Sequence, residues 1–255
     1  MIRVIVRERQ AALLEWRIVA VVHRVDWVRV SSIQTIIDLL EAEYGPPSRD
    51  SFRPEPIDEL VSTILSQHTS DTNTMRAYAS LTQTFPDWNA VIEAPIGEVA
   101  NAIRSGGLAN QKAPRIQNVL ADIREQRGDF ALGFLYDLPV EEALSWLTAL
   151  HGVGPKTAAC VLLFSLNRPV MPVDTHVHRV GLRLGLLPAK TSAERAHGAL
   201  DADMNADEVY RAHMLLIQHG RRTCKARFPR CAECVLHEQC PSATIYLGEE
   251  YDVIN

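Results

Sequence analysis

Cys224, Cys231, Cys234 and Cys240 follow the spacing C-x6-C-x2-C-x5-C in a chain whose only other cysteine is Cys160. Thiols packed this densely in a Cys-poor protein are ligands of a metal centre rather than a disulfide framework. Four thiolates suit zinc and an iron–sulfur group equally. The long first gap is unlike the short knuckle of most zinc modules. No Asp or Glu lies between Glu208 and Glu233, whereas Arg211, Arg221, Arg222, Lys225, Arg227 and Arg230 do. Lys225, Arg227 and Arg230 fall between the first two cysteines, with Phe228-Pro229 stiffening the segment. A basic loop held by a metal centre would meet nucleic-acid phosphates with little loss of ordering entropy.

A second constellation lies upstream, where 146–163 reads WLTALHGVGPKTAACVLL. Two apolar helical segments flank Gly152-Val153-Gly154, and Pro155 stands where a helix begins, its φ already helical. Gly152 and Gly154 permit a tight turn and close approach of backbone N–H groups to a partner. The second helix opens with unpaired N–H donors and a partial positive charge, which suits a DNA phosphate. A short Gly motif alone is equally at home in a helix–helix turn without a ligand.

These groups need elements to position them, and the chain is read as all-α with roughly ten short helices. Ile33, Ile36, Ile37 and Leu40 recur at the spacing of one buried helix face. Leu60, Val61, Ile64 and Leu65 begin another such face, and Ile116, Val119, Leu120 and Ile123 a third. Leu144, Leu147 and Leu150 mark the first arm of the hairpin, and Val209, Ala212, His213 and Leu216 a helix leading into the cysteines. Gly45-Pro46-Pro47 ends the first helix, and the Pro-rich run to Pro56 reads as a linker. A hydrophobic content of 47% over 255 residues allows a substantial core. The net charge of −5 requires any nucleic-acid contact to come from a local patch. Ala11 to Val30 is broken by six ionisable residues, including Glu15, Arg24 and Asp26, so neither a membrane span nor a secretory signal is expected. A cytosolic protein follows, nucleoid-associated if bacterial. Residues 1–30 fit neither helical nor strand period and receive no role.

The run Leu150-His151-Gly152-Val153-Gly154-Pro155-Lys156-Thr157-Ala158, then Val173-Asp174-Thr175-His176, then the four cysteines, resembles the endonuclease III family of helix-hairpin-helix DNA glycosylases. The resemblance runs from about Ile36 to Cys240. It implies a two-domain helical fold, a [4Fe–4S] cluster on Cys224, Cys231, Cys234 and Cys240, and a catalytic pair at Lys156 and Asp174. A Lys amine can attack sugar C1′, release the base and hold the sugar as a Schiff base, after which β-elimination cuts the strand. The positive end of a helix and partial burial both favour the free amine. A carboxylate near C1′ would stabilise the cationic sugar and could take the lysine's proton. Taken singly, Asp174 also reads as an N-cap ahead of Val177, Val180 and Leu184, and Lys156 as a surface lysine near phosphate.

Extruding a base leaves a hole, and the resemblance assigns its filling to two loops. Leu108 in Gly107-Leu108-Ala109-Asn110-Gln111-Lys112-Ala113 would be the apolar wedge. Gln67 and His68 in Leu65-Ser66-Gln67-His68-Thr69-Ser70-Asp71 would face the orphaned partner base, with His68 where a Gln is common. Ala109 likewise replaces a larger aromatic residue, leaving a more open wall. Cys160, on an apolar stretch, reads as a small buried hydrophobe.

The expected organisation is an extension at 1–30, a cluster domain from 31–56 plus 169–245, a helical domain at 57–168 and a tail at 246–255. The expected activity is that of a monomeric base excision repair glycosylase with AP lyase activity, acting on double-stranded DNA with damaged bases, oxidised pyrimidines foremost, or abasic sites. Alternatives are a glycosylase for uracil, mismatched thymine or an oxidised purine, and a DNA-binding protein without catalysis.

Overall fold

The computed structural model describes residues 32–48, 53–200 and 204–251, which are helical with no strand among them. The all-α expectation is met. Residues 1–30, read as an extension, lie outside the described residues.

Helix α1 (Ile33–Tyr44) starts where the Ser32 hydroxyl accepts from the Thr35 N–H at 3.2 Å. It buries Ile36, Ile37 and Leu40, the face that the periodicity predicts, and ends at Gly45 with φ 79°. Helix α2 (Pro56–Leu65) opens on a proline, and α3 (Asp71–Thr84) on a Ser70 cap. Helices α4 (Trp88–Glu93) and α5 (Ile96–Ala102) lead to the long α6 (Ala109–Arg127). Helix α7 (Val140–Ala149) and α8 (Pro155–Cys160) form the hairpin, with Pro155 at the first helical position as expected. Helices α9 (Thr175–Arg183), α10 (Ala193–Ala196), α11 (Ala206–Arg222) and α12 (Ala243–Tyr251) complete the chain. Asn205 and Glu208 form a complete capping box on α11, which satisfies N–H groups at both ends of the first turn. Residues 243–251 are helical where the sequence reading expects a tail from 246. Tyr246 accounts for the difference, because it packs under the Arg183 guanidinium at 4.8 Å.

The buried side chains fall into two clusters. The first draws on α2 to α8 and centres on Leu60, Ile64, Ile116, Leu120 and Leu147. The second joins Ile36, Ile37 and Leu40 of α1 to Val177 and Val180 of α9 and to Leu215 and Leu216 of α11. Each fully buried Leu or Ile contributes roughly 1.5–3 kcal/mol by leaving water, so both clusters are substantial. The chain crosses between them within one segment. After α8, residues Val161–Ser165 make a π-helical turn, and the Leu166 N–H reaches back five residues to the Val161 carbonyl at 3.4 Å. The wider turn sends Leu162 into the first cluster and Leu163 into the second. An apolar run such as Val161-Leu162-Leu163-Phe164 has no polar face, so its sequence predicts a plain helix.

The second cluster is closed by distant pairing. Arg211 of α11 grips the Glu41 carboxylate of α1 with Nε at 2.6 Å and Nη2 at 2.5 Å. The Tyr44 hydroxyl also meets His219 Nδ1 at 3.0 Å and Thr223 Oγ1 at 2.9 Å. The Arg211 hydrogen bond holds the Glu41 carboxyl below its usual pKa, against the opposing effect of burial. Such a group adds stability that is present above the unfolded pKa and is lost as pH falls through the lower folded value. Glu41→Gln is therefore expected to lower unfolding free energy by about 1 kcal/mol at pH 7. The gap should close below about pH 4 in urea titrations that compare the variant with the parent.

Candidate active site

Lys156 and Asp174, eighteen residues apart and in different helices, line one cleft of about 780 Å³ between the two clusters. Lys156 is the second residue of α8, behind Gly154 and Pro155. The hairpin turn is set by Gly152 at φ 81°, where a Cβ would come within 2.7 Å of the Arg115 side chain. Val153 turns inward: its side chain is buried in the first cluster and its N–H donates to the Leu150 carbonyl at 3.1 Å. That leaves the N–H groups of Gly152 and Gly154 for an outside acceptor.

Asp174 caps α9. Its Oδ1 accepts from the backbone N–H groups of His176 at 2.8 Å and Val177 at 2.7 Å. Both bonds fall on one oxygen, so Oδ2 keeps its lone pairs for the cleft. The helix behind it is tied to the cysteine segment by two arginines. Arg179 donates from Nε to the Cys224 carbonyl at 3.1 Å and from Nη2 to the Gly220 carbonyl at 2.9 Å. Arg183 donates to the Lys225 carbonyl at 2.7 Å, the Ala226 carbonyl at 3.1 Å and Cys224 Sγ at 3.3 Å. Lys225, Arg227 and Arg230 are exposed beyond these anchors, and Phe228 at the tip is 90% exposed.

The four cysteines line a single cavity with Arg183, His219 and Tyr246. Among the described residues, no group of three or more His, Cys, Asp or Glu side chains is arranged to hold a metal ion. Burial, with the charges of Cys224, Cys240 and Cys231, raises the Cys234 thiol to about 11 against the Leu236 N–H, which lowers it. Burial likewise raises Cys240. Thiols held in this way lose their protons to a bound metal's charge. The Leu236 N–H and the Arg183 guanidinium already point at sulfur, at 3.4 Å on Cys234 and 3.3 Å on Cys224. The donor set fits a cluster of several metal ions ligated by thiolates. Cys160 is buried, as its sequence context predicts, on the floor of the cleft beside Lys156.

The two candidate insertion loops are locked to each other by residues that the sequence reading passed over. Gln67 and His68 line the cleft, and Leu108 stands outside it, 45% exposed. His68 and Leu108 both hold left-handed backbone, with φ 54° and 49°, which is uncommon outside glycine. Lys112 of α6 is only 3% exposed. Its ammonium donates to the Leu65 carbonyl at 2.6 Å and the Gly106 carbonyl at 2.8 Å, one at the base of each loop. One turn on, Arg115 donates to Gln67 Oε1 at 2.6 Å while its stem packs against Gly152. The signal was present in the chain. Lys112 shares the buried face of α6 with Ala113, Ile116, Val119 and Leu120. A charge on such a face has to be hydrogen-bonded. Lys112→Met should leave two carbonyls without their donor and cost about 1–3 kcal/mol of stability. Hydrogen exchange should quicken at residues 66–70 and 106–108 together, and quickening in only one loop would refute the clamp.

Residues 61–201 match the family described as "HhH-GPD superfamily base excision DNA repair protein". The Arabidopsis thaliana protein At3g47830 is 37% identical over 193 residues, which is 74% of this chain and 66% of the relative, just under two thirds of its length. Endonuclease III of Escherichia coli strain K12 is 33% identical over 212 residues, 83% of this chain and 95% of the relative. The solved structure titled a non-covalent endonuclease III–DNA complex superposes with a TM-score of 0.72 at 26% identity, covering 86% of this chain and 98% of that one. With an endonuclease III matched over nearly its whole length, the chain belongs to the endonuclease III family within the HhH-GPD superfamily of base excision DNA repair proteins.

Proposed function

We propose that the cleft is the active site of a bifunctional DNA glycosylase/AP lyase of base excision repair, with Lys156 as nucleophile and Asp174 as its carboxylate partner. The observation that carries this reading is the meeting of Lys156 with a carboxylate that has one oxygen fixed and the other free. The free amine of Lys156 attacks C1′ while the C1′–N bond breaks and the base departs with the electron pair and a proton. Asp174 Oδ2 offsets the positive charge that develops on the sugar. The C1′–O4′ bond then opens, with a proton taken up by O4′, to give the Schiff base, and loss of a proton from C2′ expels the 3′ phosphate. The base that leaves is taken to be an oxidised pyrimidine.

Double-stranded DNA with a damaged base or an abasic site is the substrate that this chemistry requires. Phosphates would meet the N–H groups of Gly152 and Gly154 on one side and Lys225, Arg227 and Arg230 on the other. Leu108 and His68 would enter the helix where the nucleotide leaves it, with Gln67 bracketed by Arg115 at their base. The two side-chain clusters support a division into a helical domain at 57–168 and a cluster domain built from 31–56 and 169–245. The enzyme acts as a monomer on this reading. No helix among the described residues is long and apolar enough to cross a membrane.

A [4Fe–4S] cluster on Cys224, Cys231, Cys234 and Cys240 would supply rigidity and charge rather than bond-making chemistry. Its role runs through this chain's own contacts, since Arg179 and Arg183 transmit the position of the loop to α9 and so to Asp174. Anaerobically purified protein should be brown, and Cys231→Ser should lose that colour. A colourless parent protein with stoichiometric zinc would overturn the assignment.

Borohydride trapping tests the chemistry. The parent enzyme should form a covalent adduct with lesion DNA, and Lys156→Gln should form none. Asp174→Asn should keep its cap but slow single-turnover cleavage by about 10²–10⁴-fold. A parent protein that binds lesion DNA and is never trapped would leave only the binding function.

A further inference from the structure

One wall of the cleft has no part in the chemistry above. Glu59, in the first turn of α2, lines it together with Lys156 and Asp174. Its Oε1 accepts from the Thr63 hydroxyl at 2.9 Å, which fixes the carboxyl and leaves Oε2 without a hydrogen-bond partner among the described residues. Glu59 also borders an adjoining recess of about 450 Å³ walled by Phe164, Tyr210 and His213. The Phe164 ring stands edge-on to Tyr210 at 6.0 Å and is tilted 63° to His213 at 5.6 Å. His213 is 3% exposed, and its Nδ1 is buried without a hydrogen-bond partner among the described residues. A flat apolar ring and a fixed carboxyl thus line one space beside Lys156, with His213 also in its wall. That combination is what a heterocycle with a polar edge requires.

We propose that Glu59, with His213 and the face of Phe164, forms the pocket for the extruded base, and that Glu59 selects bases that present a ring N–H to its carboxylate. The proposal rests on the reading of the cleft as a glycosylase site. A pyrimidine oxidised across its 5,6 bond is puckered and stacks poorly, so Phe164 alone discriminates weakly against it. The ring N3–H survives that oxidation and is the donor that a carboxylate can read. A base with a lone pair or a methyl group at that position would leave a desolvated carboxylate unpaired. The electrostatics agree. Burial raises the Glu59 carboxyl to about 7, against the opposing pull of the Thr63 hydroxyl and the Lys156 charge, so the carboxylate is short of donors. Burial lowers His213 to about 4, so its ring is neutral near pH 7, and with its one N–H given to the Pro172 backbone the other nitrogen is an acceptor.

Three duplexes separate the possibilities: one with a 5,6-oxidised thymine, one with its N3-methyl counterpart, and one with an abasic site. In single-turnover assays the parent enzyme should release the N3–H base at least about tenfold faster than the N3-methyl base. In Glu59→Leu that ratio should fall close to one. Glu59→Gln keeps the volume and one acceptor oxygen, and should fall between the two, which keeps the test valid if the leucine variant folds poorly. A ratio near one in the parent would overturn the proposal. So would an unchanged ratio in both variants, because bulk alone would then exclude the methyl group. The abasic duplex has no base to read. Failure of the parent protein to be trapped there would sink the lyase reading itself, whereas trapping with a flat ratio would sink only the role of Glu59.

Discussion

A carboxylate can close a helix and still act on a substrate because it has two oxygens. Asp174 gives one to the N–H groups of His176 and Val177 and keeps the other. The two bonds restrict its side chain to one orientation, so little reorganisation is left for the reaction. The orientation is only as good as that of α9. The arginines on α9 reach Gly220, Cys224, Lys225 and Ala226, which ties the cysteine segment to the helix that Asp174 caps. The cysteine segment therefore bears on Asp174 by holding the helix that Asp174 caps.

The opposite wall follows the same logic with different groups. Lys112 carries a full charge into the first cluster, which costs free energy unless every donor is used productively. It is bound to the bases of both loops, and Arg115 adds the hairpin turn through Gly152. The loops that carry His68, Leu108 and Gly152 are thus fixed to one helix. The left-handed backbone at His68 and Leu108 is held by this frame and would be unfavourable in an isolated peptide.

Much of this was legible in the chain, for identifiable reasons. Helix faces such as Ile36, Ile37 and Leu40 announce themselves because burial imposes a period. Pro155 and Asp174 mark helix starts because backbone N–H groups there need special residues. What could not be read was which starts face each other, because that depends on packing between elements remote in sequence. Glu59 illustrates the limit: a Glu beside Leu60 is an ordinary exposed residue until α8 and α11 close over it. Lys112 is the intermediate case, since its place on an apolar face was visible but its two carbonyl partners were not. The helix at 243–251 escaped because Tyr246 is held by Arg183, a contact that spans more than sixty residues.

The π-helical turn at Val161–Ser165 gives this architecture a sensitivity to length. An α-helix advances about 100° per residue, and the wide turn absorbs one residue's worth of rotation between the two clusters. Removing a single residue there would leave a regular, locally more comfortable helix. It would also change how Leu162 and Leu163 divide between the two clusters, so the junction depends on the number of residues in that turn as well as on their apolar side chains.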